Sequence, residues 1–244
     1  MKKNLIFFSL LLILFSGCSK DDSPEDKVIP TNEKFLNNVV NNDGSVAFSF
    51  EYNSDKNIER INFVDAGLLL YGYEGNQIIS MDSYHDNQEN FTFTYDANGH
   101  LNSFTLDDLI TNVTYNAAQN FYLYAKANGD EESIFLDSDG DVKKFVTFDY
   151  SENETSTITL LYENGDYKGS LTNTNNPVLA TCLANPNYNL LFIIYNLSSK
   201  PIRTLAGNGI LDYTNTFDDQ GFLKSSTFNT SGQPTTYNYN YIKL

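Results

Sequence analysis

The chain has no tryptophan, and only two methionines, two histidines and two cysteines among its 244 residues. Each scarcity closes off some chemistry. Two cysteines, one of them at position 18, cannot build a disulfide framework. The lone thiol of the domain, Cys182, sits in the apolar run Val178-Leu-Ala-Thr-Cys-Leu-Ala and reads as a small buried hydrophobe. His85 and His100 offer no zinc-ligand spacing and no evident partner for a serine or cysteine nucleophile. There is no glycine-rich phosphate loop. Positive charge is scarce too: 15 Lys and Arg against 31 Asp and Glu leave a formal charge of -16. Such a chain repels nucleic acid and anionic headgroups, so neither is expected as a partner. No catalytic residue, metal ligand or cofactor site can be nominated, and the chain is read as a non-enzyme.

The N-terminus carries an address. Lys2 and Lys3 precede an 11-residue apolar stretch, Leu5 to Phe15, far short of the ~20 residues that span a bilayer. Ser16 and Gly17 follow, then Cys18, then the polar run Ser-Lys-Asp-Asp-Ser-Pro-Glu-Asp. This resembles a bacterial lipoprotein signal, with Phe15 standing where the family pattern favours Leu. The resemblance implies removal of residues 1–17 and acylation of Cys18, which becomes the membrane anchor. Lys20-Asp21-Asp22 is similar to the Lys-acidic export signal of Bacteroidetes lipoproteins, which implies the outer membrane and favours the cell surface over the periplasmic face. Residues 18–34 then form a lipidated tether and 35–244 one β domain. Loss of Lys2 and Lys3 takes the formal charge to near -18.

An internal repeat organises the remainder. Tyr95-Asp-Ala-Asn-Gly-His-Leu101-Asn-Ser-Phe104 aligns without gaps with Tyr52-Asn-Ser-Asp-Lys-Asn-Ile58-Glu-Arg-Ile61. Leu136-Asp-Ser-Asp-Gly-Asp-Val142-Lys-Lys-Phe145 and Phe217-Asp-Asp-Gln-Gly-Phe-Leu223-Lys-Ser-Ser226 follow the same template, and Tyr115-Asn-Ala-Ala-Gln-Asn-Phe121 is a weaker copy. Anchors fall at 52, 73, 95, 115 and 136, and again at 195, 217 and 237. Phe91, Phe93 and Tyr95 alternate with threonine, the period-2 signature of a half-buried strand. Val146, Phe148 and Tyr150 alternate in the same way, as do Ile158, Leu160 and Tyr162, and Tyr237, Tyr239 and Tyr241. Each unit is predicted to be one hairpin. Neighbouring hairpins must pair, because an isolated one is only marginally stable. The expected fold is mainly β, an antiparallel meander of hairpins forming a curved sheet or half-barrel.

The units resemble the YD repeats of the RHS family. Tyr95, Asp96, Gly99 and Leu101 match the Tyr-Asp-x-x-Gly-x-Leu signature fully, and Phe217, Asp218, Gly221 and Leu223 match with Phe for Tyr. In that family such repeats wind into a closed shell around a toxic domain. Here the repeats are too few for a large shell, and the chain looks more like the small YD-repeat lipoproteins of Bacteroidetes, so the shell-and-toxin function is not carried over.

Between Tyr162 and Tyr195 the repeat is lost. Asn176-Pro177 and Asn185-Pro186 punctuate an apolar stretch, and Leu190-Leu-Phe-Ile-Ile-Tyr195 fits a buried strand or a buried helix equally well. One or two short helices are expected between 177 and 198, capping an open end of the sheet or plugging its cavity. Asp137-Ser-Asp139-Gly-Asp141 has the alternate carboxylates of a calcium loop, but its glycine falls early and Phe148 stands where a glutamate belongs. It reads as a hairpin turn of the repeat.

The domain holds 17 tyrosines and, after the signal's three, 15 phenylalanines. Tyrosines on an exposed sheet face would offer a stacking surface for a glycan or a protein. The preferred reading is a monomeric binding or scaffold module of that kind. The alternative is a periplasmic carrier holding a lipid or other apolar ligand inside a half-barrel. A hydrolase would need convergent carboxylates that nothing in the sequence singles out.

Overall fold

Among the described residues, seventeen antiparallel strands wind almost completely around one lumen. The structure is a computed structural model and describes residues 33–244 except 65–66, 85–87, 176, 185–196 and 231. Residues 33–244 form one compact unit. The signal peptide, Cys18, Lys20-Asp21-Asp22 and the tether up to residue 32 lie outside the described residues, as do His85, Asn185-Pro186 and the apolar run 190–195.

The strands are β1 (Phe35–Val40), β2 (Val46–Tyr52), β3 (Ile58–Phe63), β4 (Gly67–Glu74), β5 (Gln77–Tyr84) and β6 (Gln88–Tyr95). Then come β7 (Leu101–Leu106), β8 (Leu109–Asn116), β9 (Phe121–Ala125), β10 (Glu131–Leu136), β11 (Val142–Asp149) and β12 (Glu154–Tyr162). After the helix α1 (Val178–Ala184) follow β13 (Ile202–Ala206), β14 (Ile210–Asp212), β15 (Thr214–Phe217), β16 (Leu223–Thr230) and β17 (Gln233–Ile242). Ladders join each strand to the next from β1 to β14. They resume from β15 to β17, and β17 pairs back onto β1. The expected curved meander thus continues almost to a closed barrel.

The YD template is legible as physics. At the lower end of the barrel, the Asp96 carboxylate accepts hydrogen bonds from the N–H groups of Asn98 and His100, both 2.8 Å. Asp137 and Asp218 hold their turns in the same way, and Asn53 does so with its neutral amide oxygen. The turn requires a left-handed residue at its fourth position, and Gly99 supplies it at φ 84°. Leu101 then pairs with Tyr95 and Ser103 with Thr94, which leaves Asn102 as an extra residue in a bulge. Glu59, Lys143 and Lys224 are the extra residues of the matching bulges, and all four are exposed. A bulge explains why Leu101 and Phe104, or Ile58 and Ile61, face the core at a spacing of three rather than two. It also adds twist to each of these four hairpins, which curls the sheet towards closure.

The anchor tyrosines stitch hairpin to hairpin. Turns connect the two strands of one hairpin at the lower end, but adjacent hairpins are not connected there. Tyr73 donates its hydroxyl to the Ile58 carbonyl at 2.7 Å, and Tyr95 to Ile78 at 2.7 Å. Tyr52 to Leu36, Tyr162 to Val142 and Tyr241 to Leu223 repeat the pattern at 2.7, 2.6 and 2.9 Å. Two anchors differ from the expected register. In the last unit Tyr241, not Tyr237, makes the stitch, four residues further along β17. Tyr115 turns to the Asn120 amide oxygen instead, and Tyr122 meets the Leu101 backbone. Phe217 has no hydroxyl, and the Asn215 amide bonds the Ile202 carbonyl in its place, at 2.8 Å.

Only the step from β14 to β15 lacks a ladder, because the chain runs straight from Asp212 through Tyr213 to Thr214 and changes partner there. The Tyr213 N–H donates to the Arg203 carbonyl, while Lys168 exchanges backbone bonds with Gly221 and Leu223. Residues 163–175 and 197–201 thus close the lower edge. Asn173, Thr174 and Asn175 donate to the carbonyls of Lys34, Lys56 and Asn76, which ties this segment across the lower turns. Pro177 precedes α1 as expected, and its carbonyl accepts from the Thr181 N–H. Val178, Ala180, Thr181, Cys182 and Leu183 are all buried. The insertion is both cap and plug: a strap below and a helix in the lumen, the latter held by Tyr71 hydroxyl to Thr181 Oγ1 at 2.8 Å.

Removing a stitch should cost stability in proportion to the buried carbonyl it orphans. Tyr73→Phe and Tyr162→Phe are each expected to lose about 1–2 kcal/mol in urea unfolding, while Tyr150→Phe on the exposed rim leaves the midpoint unchanged. The turn aspartates set the acid response. Partial burial opposes ionisation of Asp218, but hydrogen bonds from Lys34 and the N–H groups of Phe222 and Gln220 outweigh it and hold the carboxyl below its usual value. The His100 N–H chiefly does the same for Asp96. A depressed carboxyl stabilises the fold above its unfolded pKa and loses that contribution as pH falls through the folded one. Unfolding midpoints should therefore be flat above about pH 5 and fall below about pH 4. Asp218→Asn should blunt that fall.

Candidate functional site

The residues singled out by sequence serve the fold. His100 stacks on Tyr115 with ring centroids 3.9 Å apart, and its Nδ1 lies 3.3 Å from Asp96 Oδ2, so it furnishes a turn. Around Asp137, Asp139 and Asp141 the positive charge comes from the chain itself. The Lys200 ammonium pairs with Asp137 at 2.9 Å and with Asp139, and Ser199 donates its N–H and hydroxyl to Asp141. The segment is the hairpin turn the repeat predicts, locked to the strap. Among the described residues no three His, Cys, Asp or Glu side chains are placed to share a metal ion. Cys182 lies deep in the lumen, where burial pushes its thiol well above the ordinary pKa and the Glu132 charge adds to the effect.

The tyrosines do not form the exposed stacking face that composition allowed. Tyr52, Tyr73, Tyr95, Tyr162 and Tyr241 commit their hydroxyls to the stitches, and Tyr71, Tyr122, Tyr124, Tyr213 and Tyr239 are buried together with Phe91, Phe93 and Phe104. The outer wall is mostly short and polar, with Thr92, Thr94, Asn112, Thr114 and Asn240 exposed.

One sector reverses this arrangement. After the bulge at Lys143, Phe145 faces the lumen, so Val146, Phe148 and Tyr150 face outward; their alternation marked a strand, but not its buried side. Register places Phe121 beside Phe135 and Phe135 beside Lys144, with Leu123, Ser133 and Val146 in the next row up the wall. Phe121 and Phe135 are 4.7 Å apart, the Lys144 ammonium sits 3.9 Å over the Phe135 ring, and Phe148 meets Tyr150 edge-on at 4.6 Å. These side chains are half-exposed, and Tyr150 more so. The result is a contiguous aromatic strip on the outside of β9–β11.

The inner side of the same sector is polar. Glu132, Thr147, Asp149, Glu154 and Ser156 occupy inward register positions in the upper halves of β10, β11 and β12. Together with Phe91, Phe104, Leu106 and Tyr124, and with Leu183 of α1 as floor, they or their neighbours frame a cup of about 950 Å³ at the upper mouth. Lys126 lines the cup and is ion-paired with the buried Glu132. A second, smaller cavity of about 190 Å³ lies between α1 and the strands near Tyr95 and Tyr122. Sequence reading missed both surfaces. Their signal was a run of polar residues at the inward spacing of β10–β12, visible only once the bulge is counted.

No family model matches the chain, and no curated protein does. Three solved structures align with it at low identity. A porin-like protein from Bacteroides uniformis aligns over 80% of this chain and 89% of that one, at 15% identity and a TM-score of 0.43. The Tc holotoxin pore of Photorhabdus luminescens with a point-mutated TccC3 aligns over 81% of this chain and 10% of its own, at 12% identity and a TM-score of 0.31. The crystal structure of TcdB2–TccC3–TEV aligns over 80% and 10%, at 12% identity and a TM-score of 0.29. Values this low decide neither family nor function. A barrel that spans a membrane turns apolar side chains outward and polar ones inward. Here aromatic residues fill the lumen and hydroxyl and amide groups cover most of the outside, so this wall is built for water.

Placing α1 inside the lumen predicts the behaviour of its thiol. Cys182 should resist a water-soluble disulfide reagent under native conditions and react fully in urea, with the native labelling rate following the unfolding equilibrium. Rapid stoichiometric labelling of the native protein would put the helix elsewhere.

Proposed function

We propose that the protein is a non-enzymatic binding module, lipid-anchored to the outer membrane through Cys18, that docks a protein partner on the aromatic strip of β9–β11. The strip carries this reading: isolated exposed apolar residues are ordinary, whereas a contiguous aromatic patch rimmed by charge marks an interaction surface. Charges of both signs flank it, with Lys143 and Lys144 on β11 and Glu131 at the start of β10, opposite Phe148. A protein suits the strip better than a glycan. Its rings are mostly phenylalanines without a hydrogen-bonding tip, and the wall is convex, so a sugar's hydroxyls would find few partners there. A carrier of bulk lipid has little room, since α1 and the aromatic side chains fill much of the lumen.

The test is photo-crosslinking in living cells of the native organism. A photoreactive residue replaces Phe148 on the strip, or Thr92 or Asn240 on the polar wall as controls. A discrete adduct from the strip position alone is expected, and its yield should drop at least severalfold in Phe121→Ser/Phe135→Ser. An adduct of twice the chain's mass would replace the partner with a second copy. Equal adducts from all three positions would remove the strip as the docking surface. Protease shaving of intact cells, with Cys18→Ala as control, tests the anchor: release from the wild type that is lost in the variant is expected, and protection until the outer membrane is opened would put the domain on the periplasmic face.

A further inference from the structure

The cup at the upper mouth is a second surface, on the opposite side of the wall from the strip and independent of it. Its volume of about 950 Å³ falls within the roughly 300–1,000 Å³ of small-ligand clefts. One side is apolar, with Phe91, Phe104 and Leu106 on the wall and Leu183 at the floor. The facing side is hydroxyl and carboxylate: Thr147, Asp149, Glu154 and Ser156, with Asn128 and Asn208 at the rim. Such a two-sided lining suits a ligand with an apolar face and a polar edge.

Charge narrows the class. Lys126 is the cup's one lining cation, and Glu132 neutralises it. Among the described residues no ion pair neutralises Asp130, Asp149 or Glu154, so the cup is net negative and repels carboxylates, phosphates and sulfates. Two of these carboxylates already accept backbone hydrogen bonds, Asp130 from Tyr150 and Asp149 from Ser151 and Glu152, so they do not converge as a cage for a cation. They retain lone pairs for a donor such as a hydroxyl.

Tyr124 closes the inner wall of the cup: it is 4% exposed, and its hydroxyl lies against the Glu132 carboxylate. Burial, reinforced by Glu132, raises its pKa, so the group stays a neutral phenol.

We propose that the cup binds a neutral sugar, its ring face against Phe104, Leu106 and Leu183 and its hydroxyls on Glu154, Ser156 and Thr147. A sugar hydroxyl both donates and accepts, which is what a wall of carboxylate and hydroxyl groups can use. An anionic amphiphile meets like charge, and a cation finds no converging carboxylates, since Asp130 and Asp149 are turned to backbone donors.

The absence of tryptophan makes the test direct. Leu109→Trp places the only indole of the chain on the rim of the cup, at a position 59% exposed in the wild type. Titration would use four neutral trisaccharides (maltotriose, cellotriose, mannotriose and tri-N-acetylchitotriose), with laurate and spermidine as contrasts. A saturable indole shift is expected with at least one trisaccharide, with a Kd in the range of about 0.1–10 mM. Glu154→Gln in the same background should weaken it by roughly fivefold. Ser156→Tyr, which fills the polar side, should abolish it while the thermal midpoint is kept. Saturation by laurate or spermidine alone would overturn the assignment, as would no shift with any trisaccharide at about 50 mM. A shift unaffected by both wall variants would place the sugar outside the cup. The crosslinks from Phe148 test the strip separately, so either site can fail without the other.

Discussion

A buried phenol must give its proton to something, and in this barrel it gives it to the one place where the sheet would otherwise open. Hairpins are tied internally by their turns at the lower end, but neighbouring hairpins are tied only at the upper end. Ladder hydrogen bonds fade towards that free junction. Tyr52, Tyr73, Tyr95, Tyr162 and Tyr241 each reach across it from one hairpin to the carbonyl opening the return strand of the preceding one. The phenol satisfies its own desolvated hydroxyl and a carbonyl with the same bond. Spacing, ring burial and turn geometry are all subordinate to it, because the hydroxyl reaches only if the Asp turn and the bulge hold the two strands in register. That is why the repeat keeps a tyrosine followed by an aspartate, then a glycine and an aliphatic residue.

The stitch also accounts for where the barrel needs help. At Phe217 there is no hydroxyl, and there the wall has its seam between β14 and β15. Three substitutes gather at that point. Asn215 covers the Ile202 carbonyl, the Tyr213 N–H bonds Arg203, and Lys168 pairs with the turn below β15. The strap that contributes Lys168 continues across the lower turns and delivers α1 into the lumen. Closing the seam and filling the core are therefore one act of the same insertion. A barrel of this girth with no insertion would be left with both an unsealed edge and a void.

Much of this was readable from sequence, and the exceptions have physical causes. The hairpin meander, the turn aspartates, Pro177 before a short helix and the burial of Cys182 all follow from local rules. Those rules also assigned Asp137–Asp141 to a turn, although nothing local could show that Lys200, more than sixty positions away, would pair with it. Period-2 alternation located β11 but put its apolar face on the wrong side. A single bulge residue, Lys143, inverts everything after it, and the three-residue spacing of Val142 and Phe145 was the trace it left. The same shortfall moved the last anchor from Tyr237 to Tyr241. An alternating run of three tyrosines fits two registers equally well, and only pairing with β16 chooses between them. The aromatic content supplies the core as expected, but the tyrosines expected on an exposed face are drawn inward where they make the stitches.

The inversion in β9–β12 is where fold and function pull apart. Elsewhere most strands spend their aromatic residues on the lumen and their threonines on water, the cheapest arrangement for a free-standing barrel. In this sector Phe121, Phe135 and Phe148 stand outside, while Glu132, Thr147 and Asp149 stand inside. Both choices cost stability. The outer rings forgo burial worth about 1.5–3 kcal/mol each if fully covered, and Glu132 is tolerated in the lumen only because Lys126 reaches it. No turn, stitch or bulge demands either choice, since hairpins of the same template close properly with the usual polarity at β2–β3 and β6–β7. The repeat departs from its own rule on both faces of one sector where folding gains nothing, and it is there that the proposed docking strip and cup lie. The two faces are separated by a single layer of strands, so a partner gripping Phe148 and a ligand resting on Thr147 would press on adjacent residues of β11.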